Sequence, residues 1–345
     1  MDIYDKSKAT AYTAADTRYA DMHYRRCGAS GVLLPAISIG LWHNFGFVDN
    51  LQNARAILRT AFDNGITHFD LANNYGPPYG SAEENFGTLL RSDFARYRDE
   101  LFIATKAGFD MWPGPYGNYG SRKYLIASLD QSLKRTGLGY VDLFYHHRPD
   151  PETPLEETLG ALRDIVRQGK ALYVGVSNYG PSDTQRAATF LRGERVPFIL
   201  HQSRYSLLDR RIEDGLLEVL DDQGVGCIAF SPLAQGLLSD RYLKGIPAGS
   251  RATKPMSYLS PEQIGERLPL LEQLNGVAAS RGQTLAQLAI AWLLTRRAVC
   301  SVLLGASSPE QLQSNLQALD NTAFAADELA TLDRLTSNHG TSSYY

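Results

Sequence analysis

The stretch 141-VDLFYHHRPDPETPLEETLGALRDIVRQGKALYVGVSN-178 contains the unit from which the chain is built. Val141–Tyr145 and Ala171–Val176 are short apolar runs that predict buried strands. Between them, Leu155–Gln168 carries apolar residues at helical spacing. A strand, a helix and a second strand in this order predict a parallel βαβ unit, and therefore an α/β fold.

The same pattern recurs on both sides of this stretch. Further strands are predicted at Ala36–Leu41, Thr67–Leu71, Leu101–Thr105, Phe198–His201, Cys227–Phe230 and Ser301–Leu304. Helices are predicted at Ala54–Asn64, Ala82–Arg91, Lys123–Arg135, Ser182–Arg192, Ile212–Gln223, Leu285–Arg297 and Glu310–Leu319. Eight strand–helix units in 345 residues favour a closed (β/α)₈ barrel, the TIM barrel, over an open doubly wound sheet.

The regions outside these units are short. A β-hairpin is predicted from Tyr24–Cys27 and Val32–Leu34, joined by Gly28–Gly31, and we expect it to plug one end of the barrel. No linker rich in Pro, Gly or Ser divides the chain, so residues 1–345 are predicted to form one domain, with 1–23 as a polar N-terminal extension. The longest irregular stretch, Ser239–Ser260, is expected to be a functional loop.

Composition excludes several classes of partner. The net charge is −3 without any basic run, which argues against a nucleic-acid partner. No apolar run is long enough to span a bilayer, and the polar N-terminus lacks a signal-peptide core. The three cysteines are scattered without a CxxC pair, so neither disulfides nor a zinc site are expected. These features predict a cytoplasmic protein without a metal.

Polar residues follow almost every predicted strand. They are Trp42, Asp70, Lys106, His147, Ser177 with Asn178, Gln202, Ser231 and Ser307. In an α/β barrel the carboxyl ends of the strands form one rim, where active sites lie. A solvated lysine or a capping aspartate would explain each residue alone. The arrival of all of them at one rim predicts an active site.

Six segments carry a resemblance to a known family. They are GITHFDLANNYG, FIATKAG, VDLFYHHRPDP, GKALYVGVSN, FSPLAQGLL and VLLGASSPEQLQSN. In this order the chain resembles an aldo-keto reductase from about Tyr24 to about Leu335. NNYGPPYGSAEENFG and KAGFDMWPGPYG resemble, more narrowly, the bacterial L-glyceraldehyde 3-phosphate reductase group, which is similar to the β-subunits of voltage-gated potassium channels.

The resemblance implies a catalytic tetrad of Asp70, Tyr75, Lys106 and His147. Tyr75 donates the proton when a carbonyl is reduced; a free tyrosine has a pKa of about 10, which a nearby Lys106 ammonium is expected to lower. Asp70 holds Lys106 charged, and His147 positions the substrate oxygen. Of the histidine pair, the second residue matches the family, so His146 is not assigned a role.

The resemblance also implies an NADPH cofactor. The residues expected to bind it are Trp42, Asp70, Ser177, Asn178, Gln202, Tyr205, Ser231, Pro232, Leu233, Gln235, Gly236, Arg241, Arg251, Gly305, Ser307, Gln311 and Asn315. Tyr205 is expected to stack on the nicotinamide. No Lys or Arg closely follows Ser307. The resemblance to the potassium-channel β-subunits assigns the 2′-phosphate to Arg241 and Arg251, which match positions with that role in those subunits.

The substrate is expected to be a small aldehyde or ketone, including L-glyceraldehyde 3-phosphate. Trp42, Tyr79 and Trp112 are expected to wall the site, and Arg148 is the first candidate for a substrate phosphate, before Arg122 or Lys123. The alternative is a redox-sensing, nucleotide-binding regulatory subunit similar to the channel β-subunits. Those subunits carry Asn at the histidine position, so His147 favours an enzyme. The group also implies a homo-oligomer.

Overall fold

A computed structural model describes residues 12–247 and 259–337. Eight parallel strands close into a barrel, confirming the predicted (β/α)₈ fold. They are β3 (Ile37–Gly40), β4 (His68–Asp70), β5 (Phe102–Ala107), β6 (Val141–His146), β7 (Ala171–Ser177), β8 (Phe198–Arg204), β9 (Gly226–Phe230) and β10 (Val299–Leu304). The predicted hairpin is also present, as antiparallel β1 (Tyr24–Arg26) and β2 (Leu33–Pro35).

Ten α-helices occur in the described part of the chain. They are α1 (Leu51–Asp63), α2 (Ser81–Leu89), α3 (Arg122–Thr136), α4 (Leu155–Arg167), α5 (Pro181–Gly193), α6 (Leu216–Gln223), α7 (Pro261–Ser280), α8 (Leu285–Leu294), α9 (Pro309–Leu316) and α10 (Ala326–Thr336). All eight predicted helices are found, and α7 and α10 are additional. None of these described helices is long and apolar enough to cross a membrane.

The interior of the barrel is packed with side chains. Leu143, Tyr145, Leu200 and Ile228, from β6, β8 and β9, belong to one buried apolar cluster. Gly175 makes room for the ring of Tyr145, since a Cβ at Gly175 would lie 2.5 Å from that ring. Because the lumen is filled, a ligand binds above it, at an end of the barrel.

The hairpin closes the amino-terminal end of the barrel, as predicted. Cys27 and Leu34 are fully buried there. Gly28 has a left-handed φ of +53°, and a Cβ on it would lie 2.0 Å from the carbonyl oxygen of Gly224. The next residue donates its N–H to that same oxygen at 2.9 Å. This close backbone approach requires a glycine.

The N-terminal segment 12–23 packs on the outside of the barrel. The hydroxyl of Tyr12 donates to Asp63 of α1 at 2.7 Å. Arg18 makes two hydrogen bonds to one carboxylate oxygen of Glu100, at 3.2 and 2.6 Å. Met22 is buried. This part of the predicted polar extension is therefore attached to the barrel by specific contacts.

Candidate active site

The buried ammonium group of Lys106 is surrounded by polar groups of Asp70, Leu71 and Tyr75. The Nζ of Lys106, in β5, lies 2.5 Å from a carboxylate oxygen of Asp70, the last residue of β4. It also donates to the carbonyl of Leu71 at 2.6 Å and to the hydroxyl of Tyr75 at 3.2 Å. Lys106 and Asp70 are fully buried. The ammonium thus joins the carboxylate to the phenol.

His147 follows β6 and faces the same group. Its ring lies edge-on to that of Tyr75, with centroids 5.9 Å apart, and edge-on to Phe109 at 4.7 Å. His146 points to the other side of the strand, as alternation requires. Its Nδ1 pairs with the hydroxyl of Tyr179 at 2.6 Å and its Nε2 with the carbonyl of Tyr119 at 3.3 Å. The structure therefore brings Asp70, Tyr75, Lys106 and His147 together and leaves His146 outside.

A buried ion pair anchors the loop that carries Tyr75. Glu83 of α2 is fully buried and accepts from the hydroxyl of Thr105 at 2.6 Å. Its other oxygen accepts from Arg135 of α3 at 2.7 Å. Thr105 is the neighbour of Lys106 in β5. Helix α2 is therefore fixed against the strand that carries the lysine, which sets the position of the loop between β4 and α2.

The electrostatics of Tyr75 differ from the expectation. Burial raises the pKa of its phenol, the Lys106 ammonium lowers it, and the Asp70 carboxylate raises it again. Lys106 acts in the predicted direction, but the net pKa is raised. The main reason is burial, which disfavours the charged phenolate, and the Asp70 carboxylate adds to it. Tyr75 is consequently protonated at neutral pH.

Burial lowers the pKa of both nitrogen bases, but their net pKa shifts have opposite directions. Desolvation lowers the pKa of Lys106, but the charges and hydrogen bonds of Asp70 and Tyr75 outweigh it, and the net pKa is raised. For His147, burial and then the positive charge of Lys106 hold the pKa well below its usual range. Lys106 is thus an ammonium and His147 a neutral imidazole at neutral pH. A neutral imidazole can donate one N–H without carrying charge.

Amide and hydroxyl groups adjoin the tetrad on the side of β7 and β8. Gln202 donates from Nε2 to Asp70 at 3.0 Å. Asn178 has a left-handed φ of +62°. Its Nδ2 lies 3.1 Å from both the carbonyl of His147 and the hydroxyl oxygen of Ser177. These groups have the donor and acceptor chemistry to hold a carboxamide.

Tyr205 is not placed where the sequence predicted. Its ring is fully buried against Trp292, with centroids 5.3 Å apart, and its hydroxyl donates to Glu213 at 2.5 Å. Neither face is open to a ligand, so its assignment as the residue stacked on a nicotinamide is corrected. Phe230, the half-buried last residue of β9, presents an aromatic ring at the rim instead.

The segment after β9 has unusual backbone geometry. Ser231, Ala234, Gln235 and Gly236 have left-handed φ values of 54°, 45°, 62° and 97°. Within the segment, Pro232 is buried and Leu233 packs on the core. Left-handed conformations in non-glycine residues are strained and concentrate at ligand sites. Two of its N–H groups close turns within the segment, from Ala234 to the carbonyl of Ser231 at 2.9 Å and from Gly236 to the carbonyl of Leu233 at 2.8 Å.

The start of α9 fits an adenosine. A Cβ on the exposed Gly305 would meet no atom within 4 Å. The backbone N–H and hydroxyl of Ser307 both donate to Gln311, at 2.8 and 2.9 Å. Asn315 is buried, and its Nδ2 has no hydrogen-bond partner among the described residues. Asn315, near the end of α9, therefore has a buried donor that no described residue satisfies.

Of the two arginines assigned to the 2′-phosphate, only one lies in the described part of the chain. Arg241 is exposed in a short 3₁₀ helix, Asp240–Tyr242, which follows the left-handed segment. Arg251 lies outside the described residues.

Aromatic residues surround the opening above Tyr75. Trp42 is 37% exposed and its ring centroid lies 6.3 Å from that of Tyr75. Tyr79 is 56% exposed in the next loop. Trp112 instead packs on the buried ring of Tyr124, with centroids 5.1 Å apart, and so anchors its own loop to α3. The structure supports Trp42 and Tyr79 as wall residues more directly than Trp112.

Arg148 is used as a brace for the loop after β5. Its Nε donates to the carbonyl of Gly108 and its Nη2 to Asn118, both at 2.8 Å. Its guanidinium also lies between the rings of Phe109 and Tyr119, 4.3 Å from each centroid. These contacts occupy two of the five guanidinium donors. The assignment of Arg148 to a substrate phosphate stays a prediction, and its contacts in this structure are those of a loop brace.

The weaker phosphate candidates also have neighbours. Arg122 makes an ion pair with Asp164 at 2.6 Å on the outer helical layer. The Nζ of Lys123 lies 5.3 Å from the ring centroid of Tyr116.

No group of metal-ligating side chains occurs among residues 12–247 and 259–337.

Comparison with known proteins agrees with this site. The model of the Aldo/keto reductase family matches residues 36–337. The chain is 59% identical over 328 residues to L-glyceraldehyde 3-phosphate reductase of Escherichia coli strain K12, covering 94% of this chain and 95% of that protein. It is 58% identical, with the same coverage, to the protein of that name from Escherichia coli O157:H7. This chain is therefore an oxidoreductase that belongs to the aldo/keto reductase family.

Proposed function

We propose that the protein reduces small aldehydes and ketones with NADPH, and that L-glyceraldehyde 3-phosphate is among its substrates. The observation that carries the proposal is the protonated Tyr75 hydroxyl, 3.2 Å from the buried ammonium of Lys106 and beside a neutral His147. The two similar proteins carry the name of that triose-phosphate activity. A nicotinamide cofactor is implied by family membership.

The proposed roles follow from the geometry of the described residues. When bound, the reduced nicotinamide supplies a hydride to the carbonyl carbon of the substrate. His147 donates a hydrogen bond to the carbonyl oxygen and fixes its orientation, since its imidazole is neutral. As negative charge develops on that oxygen, Tyr75 transfers its proton there. Lys106 stabilises the resulting phenolate, and Asp70 keeps Lys106 oriented.

The cofactor would be held along the rim formed by the carboxyl ends of β7 to β10. Ser177, Asn178 and Gln202 would bind the carboxamide, and Phe230 would support the ring. The left-handed segment 231–236 would bind the pyrophosphate through its N–H groups. Asn315 supplies the unsatisfied amide for adenine.

The preference for NADPH over NADH is assigned to Arg241 and Arg251. Both are candidates because Ser307–Gln311 contains no cation to meet a 2′-phosphate. Arg241 is exposed at the end of the pyrophosphate segment, which supports its assignment.

Turnover measurements on a panel of aldehydes, each with NADPH and with NADH, test the proposal. We expect kcat/KM to be higher with NADPH, and we expect L-glyceraldehyde 3-phosphate to be reduced alongside uncharged aldehydes. A protein that binds NADPH without reducing any member of the panel would favour the alternative, a redox-sensing regulatory subunit. Equal kcat/KM with both cofactors would remove the NADPH assignment.

A homo-oligomeric state and a cytoplasmic location remain predictions. Size-exclusion chromatography with light scattering measures the mass of the assembly against the 38.1 kDa of one chain.

A further inference from the structure

Arg204 occupies the carboxyl end of β8, where no function has been assigned to it. The strand alternates, so Leu200 and Gln202 point towards the lumen and the tetrad. The intervening Ser203 turns away, with its hydroxyl oxygen 2.8 Å from Nδ1 of His201. Arg204 therefore lies on the same side as Gln202, one step higher on the rim. It is half-buried.

The neighbouring strand places Arg204 beside the segment assigned to the pyrophosphate. Arg204 is opposite Phe230 in the β8–β9 register, and the backbone N–H of Tyr205 donates to the carbonyl of Phe230 at 3.2 Å. The guanidinium carbon lies 5.8 Å from the ring centroid of Phe230. The left-handed segment begins at the next residue, Ser231. The cation is thus adjacent to both a supporting aromatic ring and the start of that segment.

The charge of a pyrophosphate is not matched by the groups already assigned to it. Both of its phosphate groups are anionic, whereas Ser231–Gly236 and Gly305–Gln311 contain neither Lys nor Arg. N–H groups and hydroxyls can bind the oxygens, but a partly buried anion is stabilised further by an opposite charge. A guanidinium presents paired N–H donors in a geometry that fits phosphate oxygens.

We propose that Arg204 binds a phosphate group of the cofactor's pyrophosphate, at the junction of β8 with the left-handed segment. The inference rests on the proposed use of a nicotinamide dinucleotide. A phosphorylated aldehyde offers the same phosphate chemistry, so the experiment must separate the two sources.

Direct binding measurements make the first test. The Kd values of NADPH and NADH are measured by calorimetry for the wild type, Arg204→Met and Arg204→Lys. Both cofactors share the pyrophosphate, so Arg204→Met should weaken both by a similar factor, about 10- to 100-fold for a charge-assisted hydrogen bond. Arg204→Lys should recover part of the loss. Arg192→Met is the matched control, because Arg192 is exposed on α5 and donates to the carbonyl of Gln223.

The second measurement identifies the source of the phosphate. At saturating NADPH, KM is determined for glyceraldehyde 3-phosphate and for an uncharged aldehyde with wild type and Arg204→Met. An unchanged ratio of the two KM values supports the cofactor assignment. A selective rise for the phosphorylated substrate, with unchanged cofactor Kd, overturns it. Arg204→Gln replaces the Met variant if circular dichroism shows that the latter does not fold.

The result also distinguishes this inference from the proposed function. If the wild type binds neither cofactor, the proposed function fails and this inference fails with it. If the wild type binds both and Arg204→Met binds them equally well, only the assignment of Arg204 is overturned.

Discussion

The two ends of the barrel differ in how many left-handed non-glycine residues they contain. Seven non-glycine residues in the described part of the chain have left-handed φ values, and six of them lie in loops at the carboxyl-terminal end. The six are Asn44, Tyr119, Asn178, Ser231, Ala234 and Gln235. At the amino-terminal end, the hairpin meets a tight backbone approach with a glycine, Gly28. The buried Asp70–Lys106 pair also lies towards the carboxyl-terminal end.

The carboxyl-terminal end contains features that contribute little to stability and are typical of functional sites. A buried ion pair is weak evidence for stability, since desolvation offsets much of its attraction. Left-handed non-glycine residues add strain at the same end. The amino-terminal end also contains a left-handed non-glycine residue, Arg195, and an ion pair between Arg98 and Asp142, but it lies away from the tetrad and buries apolar side chains such as Leu34. Mutations at the carboxyl end should therefore lower activity, and should lower stability mainly where a buried charge loses its partner. Mutations at the amino end should change the free energy of unfolding without changing activity per folded molecule.

Removal of the buried ammonium should have the largest effect. Lys106→Met should lower kcat by about 10²-fold or more, because the phenolate of Tyr75 loses its stabilising charge. It should also lower the free energy of unfolding by about 3–5 kcal/mol, since Asp70 is left buried without a cation. The double variant Asp70→Asn with Lys106→Met should be inactive but more stable than the single variant.

Urea unfolding and steady-state kinetics check these two outcomes. A Lys106→Met variant that unfolds at the wild-type midpoint would show that burial of the Asp70 carboxylate does not depend on the Lys106 ammonium.

Gly28→Ala tests the opposite end. The left-handed φ alone should cost about 1–2 kcal/mol, and the contact with the Gly224 carbonyl should add to it. Gly31→Ala in the same turn is the control, because a Cβ there would meet no atom within 4 Å. We expect kcat per folded molecule to be unchanged in both variants. A loss of kcat without a loss of stability in Gly28→Ala would contradict the division of roles.

Arg148→Met examines the brace beside His147. Loss of its bonds to Gly108 and Asn118 should displace the loop after β5 and lower kcat/KM by about 10- to 100-fold. The decrease should be similar for glyceraldehyde 3-phosphate and for an uncharged aldehyde. A decrease confined to the phosphorylated substrate would restore Arg148 as its phosphate ligand.

The pH profile should show the smallest effect. His147 has a pKa held well below its usual range, so it stays neutral, and kcat for reduction should be flat from about pH 6 to about pH 9. Tyr75 has a pKa raised above its usual 10.0, so kcat should fall only on the alkaline side, as the phenol loses its proton. An inflection near the ordinary pKa of histidine, 6.5, would show that His147 titrates during turnover.

Sequence patterns were sufficient for the barrel but not for every helix. The strands are apolar runs with turn signals between them, so each was identifiable. Helix α7 was missed because Gly265, Pro269 and Gly276 interrupt its interior like a loop. Its stability comes from a capping box at Ser260 and from the burial of Leu271 and its neighbours. The capping box of Ser260 with Gln263 is a local signal that the sequence contains, whereas the burial of Leu271 depends on tertiary contacts that leave no periodic signal.

The site was predictable where a strand fixes the side-chain direction. Lys106 lies within β5, and its position follows from the alternation of the strand. Tyr205 was misplaced because β8 continues to Arg204, three residues beyond its predicted end. The ring is then drawn inwards by Glu213 and Trp292. Contacts with residues distant in sequence decide such orientations, and a single sequence does not contain them in readable form.

In the proposed mechanism, Tyr75 donates the proton to the substrate oxygen, while other residues bind the cofactor. Tyr75→Phe removes only the hydroxyl, so the Kd of NADPH and the free energy of unfolding should stay close to the wild-type values. The decisive measurement is kcat for aldehyde reduction at saturating NADPH. We expect kcat to decrease by about 10²-fold or more in Tyr75→Phe. A near-normal kcat in this variant would contradict the role of Tyr75 as proton donor.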